Sequence, residues 1–318
     1  MHYGIIGLGP VGATFACLLH AGGHTVSGLD VNPYRCALLS NGPLKVTGKY
    51  EAVTQLENIT PSFKEFALGN PDVILIAVKT PVLQDIIERL NLYPHLRSKA
   101  IVSTQNGIDN EQEIAKVFGD DHAYRAVLNF GVSYSAKNEV SVNFLNEPHY
   151  FSSVSPDKAD FAKKIVGEFN DAGIGFEYVK DIRTESFKKA ILNTTLSSIC
   201  TLTRMRMAEV MGNPDLLLMV KELIRENVSI CDAMNIDLGD HFAEDAVKYL
   251  HKGGHHKPSM LVDIEDRQQT EIARLAGKLF DYAEEVHLSV PVTQTMYFLI
   301  KALEESVMLS KYVDDSNA

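Results

Sequence analysis

The sequence is short of basic residues and of long apolar runs. It has 30 lysines and arginines against 41 aspartates and glutamates, giving a formal net charge of −11 at pH 7. Such a protein repels phosphate backbones and anionic lipid, which argues against nucleic acid and membrane surfaces as partners. No uncharged apolar run approaches the roughly 18 residues that span a bilayer. The N-terminus also lacks the basic segment and cleavage site of a signal peptide.

Groups of residues that would form disulfides or bind a metal are also scarce. The four cysteines are widely scattered and have no CxxC spacing: Cys17, Cys36, Cys200 and Cys231. They are expected to be buried free thiols in a protein of the reducing cytoplasm. His251, His255 and His256 are close together, but no carboxylate or cysteine stands at ligand spacing within their loop. We therefore expect no metal site there.

The pattern of strands and helices predicts two domains. Residues 1–179 alternate short β-rich runs with helical segments, which indicates a doubly wound, Rossmann-type parallel sheet. The predicted strands are His2–Ile6, Thr25–Leu29, Val73–Val78, Ala100–Thr104, Arg125–Asn129 and Gly175–Val179, with Glu139–Val154 as an antiparallel edge of the same sheet. Residues 180–318 show helical periodicity, apart from a tail, Asp314–Ala318, that is predicted to be disordered.

A glycine-rich turn follows the first predicted strand. It reads Gly7-Leu8-Gly9-Pro10-Val11-Gly12 and leads into a helix. In a strand–turn–helix unit the first glycine permits the tight turn, the second lets a pyrophosphate approach the backbone, and the third lets helix and strand pack closely. These six residues are predicted to bind a dinucleotide, so residues 1–179 would be the cofactor-binding domain and residues 180–318 the substrate and catalytic domain.

Asp30 ends the second predicted strand, 23 residues after the first glycine. At this position a carboxylate accepts hydrogen bonds from the adenosine ribose and repels a 2′-phosphate, which favours NAD over NADP. Arg35 lies five residues further on and is able to attract a 2′-phosphate, so NADP stays open as the alternative.

Two further polar residues follow predicted strands of the sheet. Lys79 comes directly after the apolar strand Val73–Val78, and Asn106 follows Ala100–Thr104. Ligands of such sheets collect outside the carboxyl ends of the strands. Lys79 is therefore a candidate for binding cofactor phosphate or a substrate carboxylate, with an exposed loop lysine as the alternative. Asn106 is a candidate for contact with nicotinamide, with a simple turn residue as the alternative.

The helical half contains two groups of candidate residues. Lys189, Asn193 and Ser197 are spaced four residues apart on a helix predicted over residues 184–202, so they share one face. By spacing alone that face is either a binding face or simply a solvated one, and the spacing favours the solvated face. Ser259 and Glu271 are twelve residues apart. On one straight helix they would lie about 18 Å apart, too far to share a small substrate. We expect the helix to break at Asp266–Gln269 and a new one, capped by Thr270, to begin there.

Together these motifs resemble the ketopantoate reductase family. The resemblance rests on the glycine turn, Lys79, Gln105-Asn106-Gly107, the run Phe187–Asn193, Pro258–Leu261, Thr270–Ile272 and Val290–Val292, which occur in the family's order and spacing over nearly the whole chain. It implies a Rossmann domain followed by a helical domain. It also implies reduction of a small 2-oxo acid by NAD(P)H.

The resemblance implies a role for each candidate residue of the helical half and for Asn106. Lys189 would be the general acid and Glu271 would bind the substrate hydroxyl or orient the lysine. Asn193, Ser197 and Ser259 would bind substrate, and Asn106 would position both nicotinamide and the reacting oxygen. A lysine beside a developing alkoxide suits this chemistry because it stabilises the charge and donates a proton.

Three positions depart from the family pattern. Asp30 stands where NADPH-dependent members commonly carry an arginine near the strand end, Ser197 replaces a second asparagine, and His255–Pro258 lacks a substrate-binding asparagine. The first expectation is 2-dehydropantoate 2-reductase activity in pantothenate biosynthesis. An NAD-dependent D-2-hydroxyacid dehydrogenase of the mandelate type is the alternative within the family, and an NAD(H)-binding redox sensor without turnover is the alternative of another class. Apolar helix faces in the second half favour a homodimer.

Overall fold

The computed structural model describes residues 1–309 in full and helical backbone as far as Ser316. The tail Asp314–Ala318 is predicted to be disordered, but its backbone is helical as far as Ser316, and the last two residues lie outside the described part of the chain. The chain folds into two compact units. The first, here called the sheet unit, comprises residues 1–105 and 109–182. The second, the helical unit, comprises residues 106–108 and 183–318.

The strands of the sheet unit form two sheets. They are β1 (His2–Ile6), β2 (Thr25–Leu29), β3 (Leu44–Gly48), β4 (Ala52–Thr54), β5 (Asn58–Thr60), β6 (Val73–Ile76), β7 (Ala100–Ser103), β8 (Ala123–Val127), β9 (Phe130–Ala136), β10 (Glu139–Leu145), β11 (His149–Ser153) and β12 (Phe176–Tyr178). The eight-stranded main sheet has the order β12-β11-β8-β7-β6-β1-β2-β5, and the four-stranded second sheet has the order β4-β3-β10-β9.

The main sheet is parallel from β5 to β8, as the alternating pattern predicts. Its central strands are buried on both faces. In β6, Val73 and Leu75 face one core cluster while Ile74 and Ile76 face another. Helices α1 (Pro10–Ala21), α2 (Pro33–Asn41), α3 (Phe63–Leu68), α4 (Leu83–Asn91), α5 (Asn110–Phe118) and α6 (Ala159–Asp171) connect the strands. The mixed α/β class with a Rossmann-type sheet is confirmed.

The predicted antiparallel edge, Glu139–Val154, is wrong in part. Residues 149–153 do pair antiparallel with β8 in the main sheet. Residues 139–145 instead pair antiparallel with β9 and parallel with β3 in the second sheet. Alternation of apolar and polar residues predicts a strand with one buried face, but it does not say which strand is the neighbour.

The helical unit contains α7 (Ile182–Thr203), α8 (Met207–Gly212), α9 (Pro214–Ala233), α10 (Phe242–His251), α11 (Ser259–Glu265), α12 (Ala276–Glu285) and α13 (Pro291–Ser316), with the first residue of α7 assigned to the sheet unit. The predicted break between Ser259 and Glu271 is confirmed, because α11 ends at Glu265 and a short 3₁₀ turn, Ile272–Arg274, precedes α12. Thr270 does not cap α12 itself. Its hydroxyl instead accepts a hydrogen bond from Ile272 N, at the start of that turn.

A buried carboxylate fixes the start of α13. Glu226 of α9 is 3% exposed, and its two oxygens accept hydrogen bonds from Val292 N at 3.0 Å and Thr293 N at 2.7 Å. These are backbone groups of the first helical turn, which have no partner within the helix. The carboxylate also complements the positive end of the helix dipole. Glu226 therefore joins two long helices that are distant in sequence.

The cysteines have the state that the sequence predicts. All four cysteines are free and buried. Burial raises the pKa of Cys17, Cys200 and Cys231 to about 12, which keeps these thiols protonated at neutral pH. Among the residues that the structure describes, no helix is long and apolar enough to cross a membrane.

Candidate functional site

The glycine turn lies between β1 and α1 and has no room for side chains at two of its glycines. Gly7 has a φ of +91°, and a Cβ there would lie 2.7 Å from Val78 Cγ1. A Cβ on Gly12 would lie 1.9 Å from the carbonyl oxygen of Gly7. A Cβ on Gly9, by contrast, would meet nothing within 4 Å. The turn is therefore tight where strand and helix pack and open at its middle glycine.

This geometry fits the pyrophosphate of a dinucleotide. Gly9 is the N-cap of α1 and Pro10 occupies its first turn. The N–H groups at a helix N-terminus have no partner within the helix and carry partial positive charge, so they attract phosphate. The open face at Gly9 lets such a group approach the backbone. Leu8, Pro10 and Val11 complete the turn.

Asp30 lies at the end of β2, beside the glycine turn. Its Oδ2 accepts a hydrogen bond from Leu8 N and its Oδ1 accepts one from Asn32 N, both at 2.9 Å. Each carboxylate oxygen has a second lone pair, so both retain the capacity to accept from a hydroxyl. Asp30 also lines a largely apolar groove of the sheet unit together with Gly7, Val31, Pro61, Phe63 and Arg89. An apolar groove bordered by a carboxylate suits a nucleoside.

Arg35 is held against the glycine turn. Its Nη1 donates to the carbonyl oxygen of Leu8 at 3.0 Å, and its guanidinium lies 5.0 Å from the centre of the Tyr134 ring. Tyr134 donates its hydroxyl to the same carbonyl at 2.7 Å. Burial raises the pKa of Tyr134 to about 12, so this hydroxyl keeps its proton at neutral pH. A 2′-phosphate would have to draw Arg35 away from these contacts.

Lys79 lies three residues beyond the end of β6 and is exposed. It is the N-cap of a short 3₁₀ turn, Thr80–Val82, that leads into α4. The structure therefore places it after the carboxyl end of a central strand, as the sequence predicts. Phosphate binding and a simple loop position are both compatible with this place, so its role in cofactor binding stays a prediction.

A small polar pocket lies within the helical unit. It is lined by Asn106, Asn193, Ser197, Ser259, Met260, Asp263, Glu271 and Leu275. Asn106 and four of the five candidate residues predicted in residues 180–318, all but Lys189, thus border one cavity. They come from the segment 106–108, from α7, from α11 and from the residue that precedes the 3₁₀ turn.

Hydrogen bonds connect three of these side chains. Asn106 donates from Nδ2 to Glu271 Oε2 at 3.0 Å, and its Oδ1 accepts from Asn193 Nδ2 at 3.4 Å. The amide of Asn106 is thereby oriented from both sides. The carboxylate of Glu271 is held in the pocket wall by this bond.

Lys189 lies one turn before Asn193 on α7 and is half-buried. Since residues four apart on a helix share a face, Lys189 and Asn193 project in similar directions. Lys189 is not among the residues that line the pocket. Its predicted role as the proton donor stays a prediction.

The structure adds two features to the site that the sequence did not predict. Asp263 is 8% exposed and lines the pocket, one helical turn after Ser259 on α11. The same i, i+4 spacing that links Lys189 to Asn193 would have identified it. The second feature is the membership of residues 106–108 in the helical unit, where Ile108 N donates to Arg274 O at 3.0 Å. No sequence signal indicates that attachment.

His255 and His256 lie in the loop between α10 and α11. His255 and His256 are exposed, and the carbonyl of His255 accepts from Arg206 Nη1 at 2.7 Å. In the described part of the chain, no group of three or more histidine, cysteine, aspartate or glutamate side chains is placed to hold a metal ion.

Two family models match most of the chain. Ketopantoate reductase PanE/ApbA matches residues 3–155, and Ketopantoate reductase PanE/ApbA C terminal matches residues 181–304. The 2-dehydropantoate 2-reductase of Pyrococcus abyssi is 27% identical over 302 residues, which is 94% of this chain and 97% of that protein.

Solved structures of similar fold cover both units. D-mandelate dehydrogenase in complex with NADH and anilino(oxo)acetate has a TM-score of 0.84 at 20% identity, over 96% of this chain and 99% of that one. A dimeric ketopantoate reductase from Staphylococcus aureus has a TM-score of 0.78 at 20% identity, over 96% and 100%. The chain belongs to the ketopantoate reductase family and is, as the sequence predicts, an oxidoreductase that uses a pyridine nucleotide.

Proposed function

We propose that this protein reduces a small, branched 2-oxo acid to the corresponding 2-hydroxy acid, with 2-dehydropantoate as its first substrate and D-pantoate as the product. The observation that carries the proposal is the pocket of the helical unit. Two amides, two hydroxyls and the carboxylates of Asp263 and Glu271 converge there from separate segments, and such a polar lining suits a hydroxylated acid. The pathway would then be pantothenate biosynthesis. A relative over nearly the whole chain is named 2-dehydropantoate 2-reductase, which supports this choice of substrate.

The proposed roles in cofactor binding and in substrate binding are divided between the two halves of the chain. Residues 1–179 would hold the cofactor through Gly7–Gly12, Asp30 and Lys79, and residues 180–318 would bind and protonate the substrate. A bound reduced nicotinamide supplies the hydride that adds to the carbonyl carbon. The residues of this chain have to orient the acid and deliver one proton to the carbonyl oxygen.

Lys189 is the proposed proton donor. Its ammonium group would stabilise the oxyanion that develops as the carbonyl is reduced and would pass its proton to that oxygen. The lysine, left neutral, would regain a proton from solvent. Glu271, oriented by Asn106 at 3.0 Å, would accept a hydrogen bond from the substrate hydroxyl or orient the lysine.

The remaining pocket residues would fix the substrate. Ser259 would donate to the carboxylate, while Asn193 and Ser197 would bind the polar part of the side chain. Asn106 would contact both the reacting oxygen and nicotinamide. Met260 and Leu275 supply the apolar part of the pocket wall, which suits a branched hydrocarbon group.

NADH is the proposed cofactor. Both oxygens of Asp30 retain lone pairs for ribose hydroxyls, and Arg35 is bonded to the carbonyl of Leu8. A 2′-phosphate would meet the negative charge of Asp30 and would gain Arg35 only by breaking that bond. Family precedent favours NADPH, so the two cofactors must be compared directly.

Asp30 and Ser197 also support a second candidate, an NAD-dependent D-2-hydroxyacid dehydrogenase. The serine is smaller than the asparagine it replaces in the family pattern and leaves more room for a bulky substrate group. D-mandelate dehydrogenase with bound NADH shares the fold.

Steady-state assays with a panel of acids test both candidates. Purified protein is mixed with NADH or NADPH and with 2-dehydropantoate, branched 2-oxo acids or aromatic 2-oxo acids, and the absorbance of the reduced nicotinamide is followed. We expect the highest kcat/KM with 2-dehydropantoate. A preference for aromatic acids with NADH would select the second candidate. No turnover with any acid, despite tight binding of the cofactor, would support a redox sensor instead.

We also propose that the protein is a homodimer of the reducing cytoplasm. The helical unit exposes Leu218, Phe298 and Leu299, which are 66%, 49% and 49% exposed. The similar S. aureus enzyme is described as dimeric. Free buried cysteines suit a reducing compartment. Sedimentation velocity at micromolar concentration would reveal a single species of monomer mass if the homodimer is wrong.

A further inference from the structure

The segment that carries Glu271 has little regular structure of its own. Between the end of α11 at Glu265 and the start of α12 at Ala276, the chain forms only the 3₁₀ turn Ile272–Arg274. A carboxylate on such a segment keeps a fixed position only if the backbone on both sides is held by other contacts, because irregular segments have few internal hydrogen bonds.

One end of this segment is held by the residues that follow Asn106. Ile108 N donates to Arg274 O at 3.0 Å. Gly107, with a φ of +107°, packs so closely that a Cβ there would lie 2.8 Å from Arg274 Cβ. The side of Glu271 toward the C-terminus is therefore fixed to the same short segment that supplies Asn106.

The other end is held by α13. Glu304 accepts two hydrogen bonds on one carboxylate oxygen, from Thr270 N at 2.7 Å and from Thr270 Oγ1 at 2.5 Å. Thr270 is 2% exposed. Its hydroxyl oxygen in turn accepts from Ile272 N at 3.3 Å, so the residues on both sides of Glu271 are joined through Thr270.

We propose that Glu304 is a positioning residue for Glu271: it holds Thr270, and through Thr270 it sets the backbone from which Glu271 reaches Asn106. This inference rests on the proposed function, in which Glu271 contacts the substrate. Glu304 itself lies on α13 and is not among the residues that line the pocket. Its contribution would be to orientation, not to chemistry.

The chain offers a graded set of variants to test this. Glu304→Ala removes both acceptor bonds. Glu304→Gln keeps a carbonyl oxygen that accepts both, without the charge. Thr270→Val keeps the shape of the side chain and removes the hydroxyl. Glu305→Ala is the matched control, because Glu305 is the next residue of the same helix and is exposed.

Turnover and cofactor binding are measured for each variant well below its melting temperature and are normalised to folded protein. For Glu304→Ala we expect kcat with the best 2-oxo acid to fall by about 10- to 100-fold, because a displacement of about 1 Å at a reacting group costs up to 10²-fold. The Kd for NADH should stay within about twofold, since the glycine turn lies in the other unit. Glu304→Gln should retain kcat within about threefold and Glu305→Ala within about twofold, since neither loses the bonds to Thr270.

Amide hydrogen exchange gives a readout that does not depend on turnover. Glu304→Ala and Thr270→Val should each speed exchange at Ile272 N by at least about tenfold, while Glu304→Gln should leave it near the parent rate. If Glu304→Ala does not fold, Thr270→Val and Glu304→Gln still decide the question, with kcat expected to fall in the first and to be kept in the second.

The inference is overturned if folded Glu304→Ala keeps the parent kcat, if Glu304→Gln is as slow as Glu304→Ala, or if exchange at Ile272 N is unchanged in both Glu304→Ala and Thr270→Val. Failure of the proposed function is a separate result: the parent protein would then turn over no 2-oxo acid, whatever the exchange rates are.

Discussion

The glycine turn and the pocket of the helical unit are built in opposite ways. The turn consists of six consecutive residues, and it presents backbone groups with Asp30 from the next strand beside it. The pocket takes side chains from the segment 106–108, from α7, from α11 and from residues 271–275. A site made of backbone can be encoded in one short stretch, whereas a site made of side chains depends on how distant segments pack.

The two sites also differ in what maintains their shape. The turn keeps its form because Gly7 and Gly12 leave no space for a Cβ. The segments that form the pocket are joined by contacts between residues far apart in sequence, such as Asn106 with Glu271 and Glu304 with Thr270. Substitutions in the turn should therefore have local effects. The pocket should also be disturbed by substitutions of residues that do not line it.

The largest expected effect tests the division between the two units. Lys189→Ala should lower kcat by about 10²- to 10⁴-fold, because the proton donor is lost, and should leave the Kd for NADH nearly unchanged. Stopped-flow turnover and fluorescence titration of NADH measure the two quantities. Lys188→Ala is the matched control, since Lys188 pairs with Glu185 at 3.0 Å. Near-normal turnover in the Lys189 variant would remove this lysine from the mechanism.

A substitution remote from the pocket should lower the stability of the helical unit. Glu226→Ala removes the acceptor of two backbone hydrogen bonds from α13. We expect the free energy of unfolding to fall by about 3 kcal/mol, since bonds to a charged group contribute about 1.5 to 3 kcal/mol each and the alanine leaves two donors unpaired. Urea unfolding followed by circular dichroism measures the change.

The control for this variant is Glu222→Ala, one turn earlier on α9. Glu222 pairs with Arg225 at the surface, where such pairs contribute little. Its unfolding midpoint should match that of the parent. Equal midpoints for the Glu226 variant and the parent would show that this carboxylate does not stabilise the junction of α9 and α13.

Two alanine substitutions separate the roles of the glycines in the turn. Gly12→Ala places a Cβ 1.9 Å from Gly7 O. This overpacking should lower the free energy of unfolding by about 1 to 3 kcal/mol, and the distorted turn should also bind the cofactor more weakly. Gly9→Ala places a Cβ in open space, so its melting temperature should match the parent's. Its Kd for NADH should rise about tenfold, because the methyl group blocks the pyrophosphate. If both variants bind NADH as the parent does, the turn is not the cofactor site.

The smallest expected effect concerns cofactor choice. Asp30→Ser removes the charge that faces a 2′-phosphate and keeps a short side chain that accepts hydrogen bonds. The ratio of kcat/KM for NADPH to that for NADH should rise about tenfold, the equivalent of about 1.4 kcal/mol. Asp72→Ser is a suitable control, because Asp72 lies outside the turn and bonds His2 N at 2.9 Å. An unchanged ratio in the Asp30 variant would show that the acid does not contact the ribose.

Much of the fold is predictable because its signals are local. The strands His2–Ile6 and Thr25–Leu29 are predicted to the residue. The assignment of Glu139–Leu145 to the main sheet is wrong, because the pairing partners β9 and β3 are chosen by tertiary packing. The sequence analysis does not predict β3, β4 and β5, which are only three to five residues long.

Most residues that line the candidate site are predictable from the sequence, but the residues that hold distant backbone in place are not. Helical spacing and family resemblance suggest Asn106, Asn193, Ser197, Ser259 and Glu271, and the structure places them around one pocket. Sequence reasoning misses Asp263, although it stands one turn after Ser259. Glu304 and Glu226 carry no motif, because a carboxylate that holds a distant backbone looks in sequence like any surface glutamate.

By itself, the sequence determined the glycine turn, the parallel strands beside it and the helical character of the second half, because each depends on residues that are neighbours along the chain. Only the tertiary structure decided which sheet contains Glu139–Leu145, that residues 106–108 belong with the helices, and that Glu304 and Glu226 hold backbone more than 30 residues away. The reason is physical: hydrogen bonds between distant segments form only after packing has closed the loops between them, and that loop closure leaves no local pattern in the sequence.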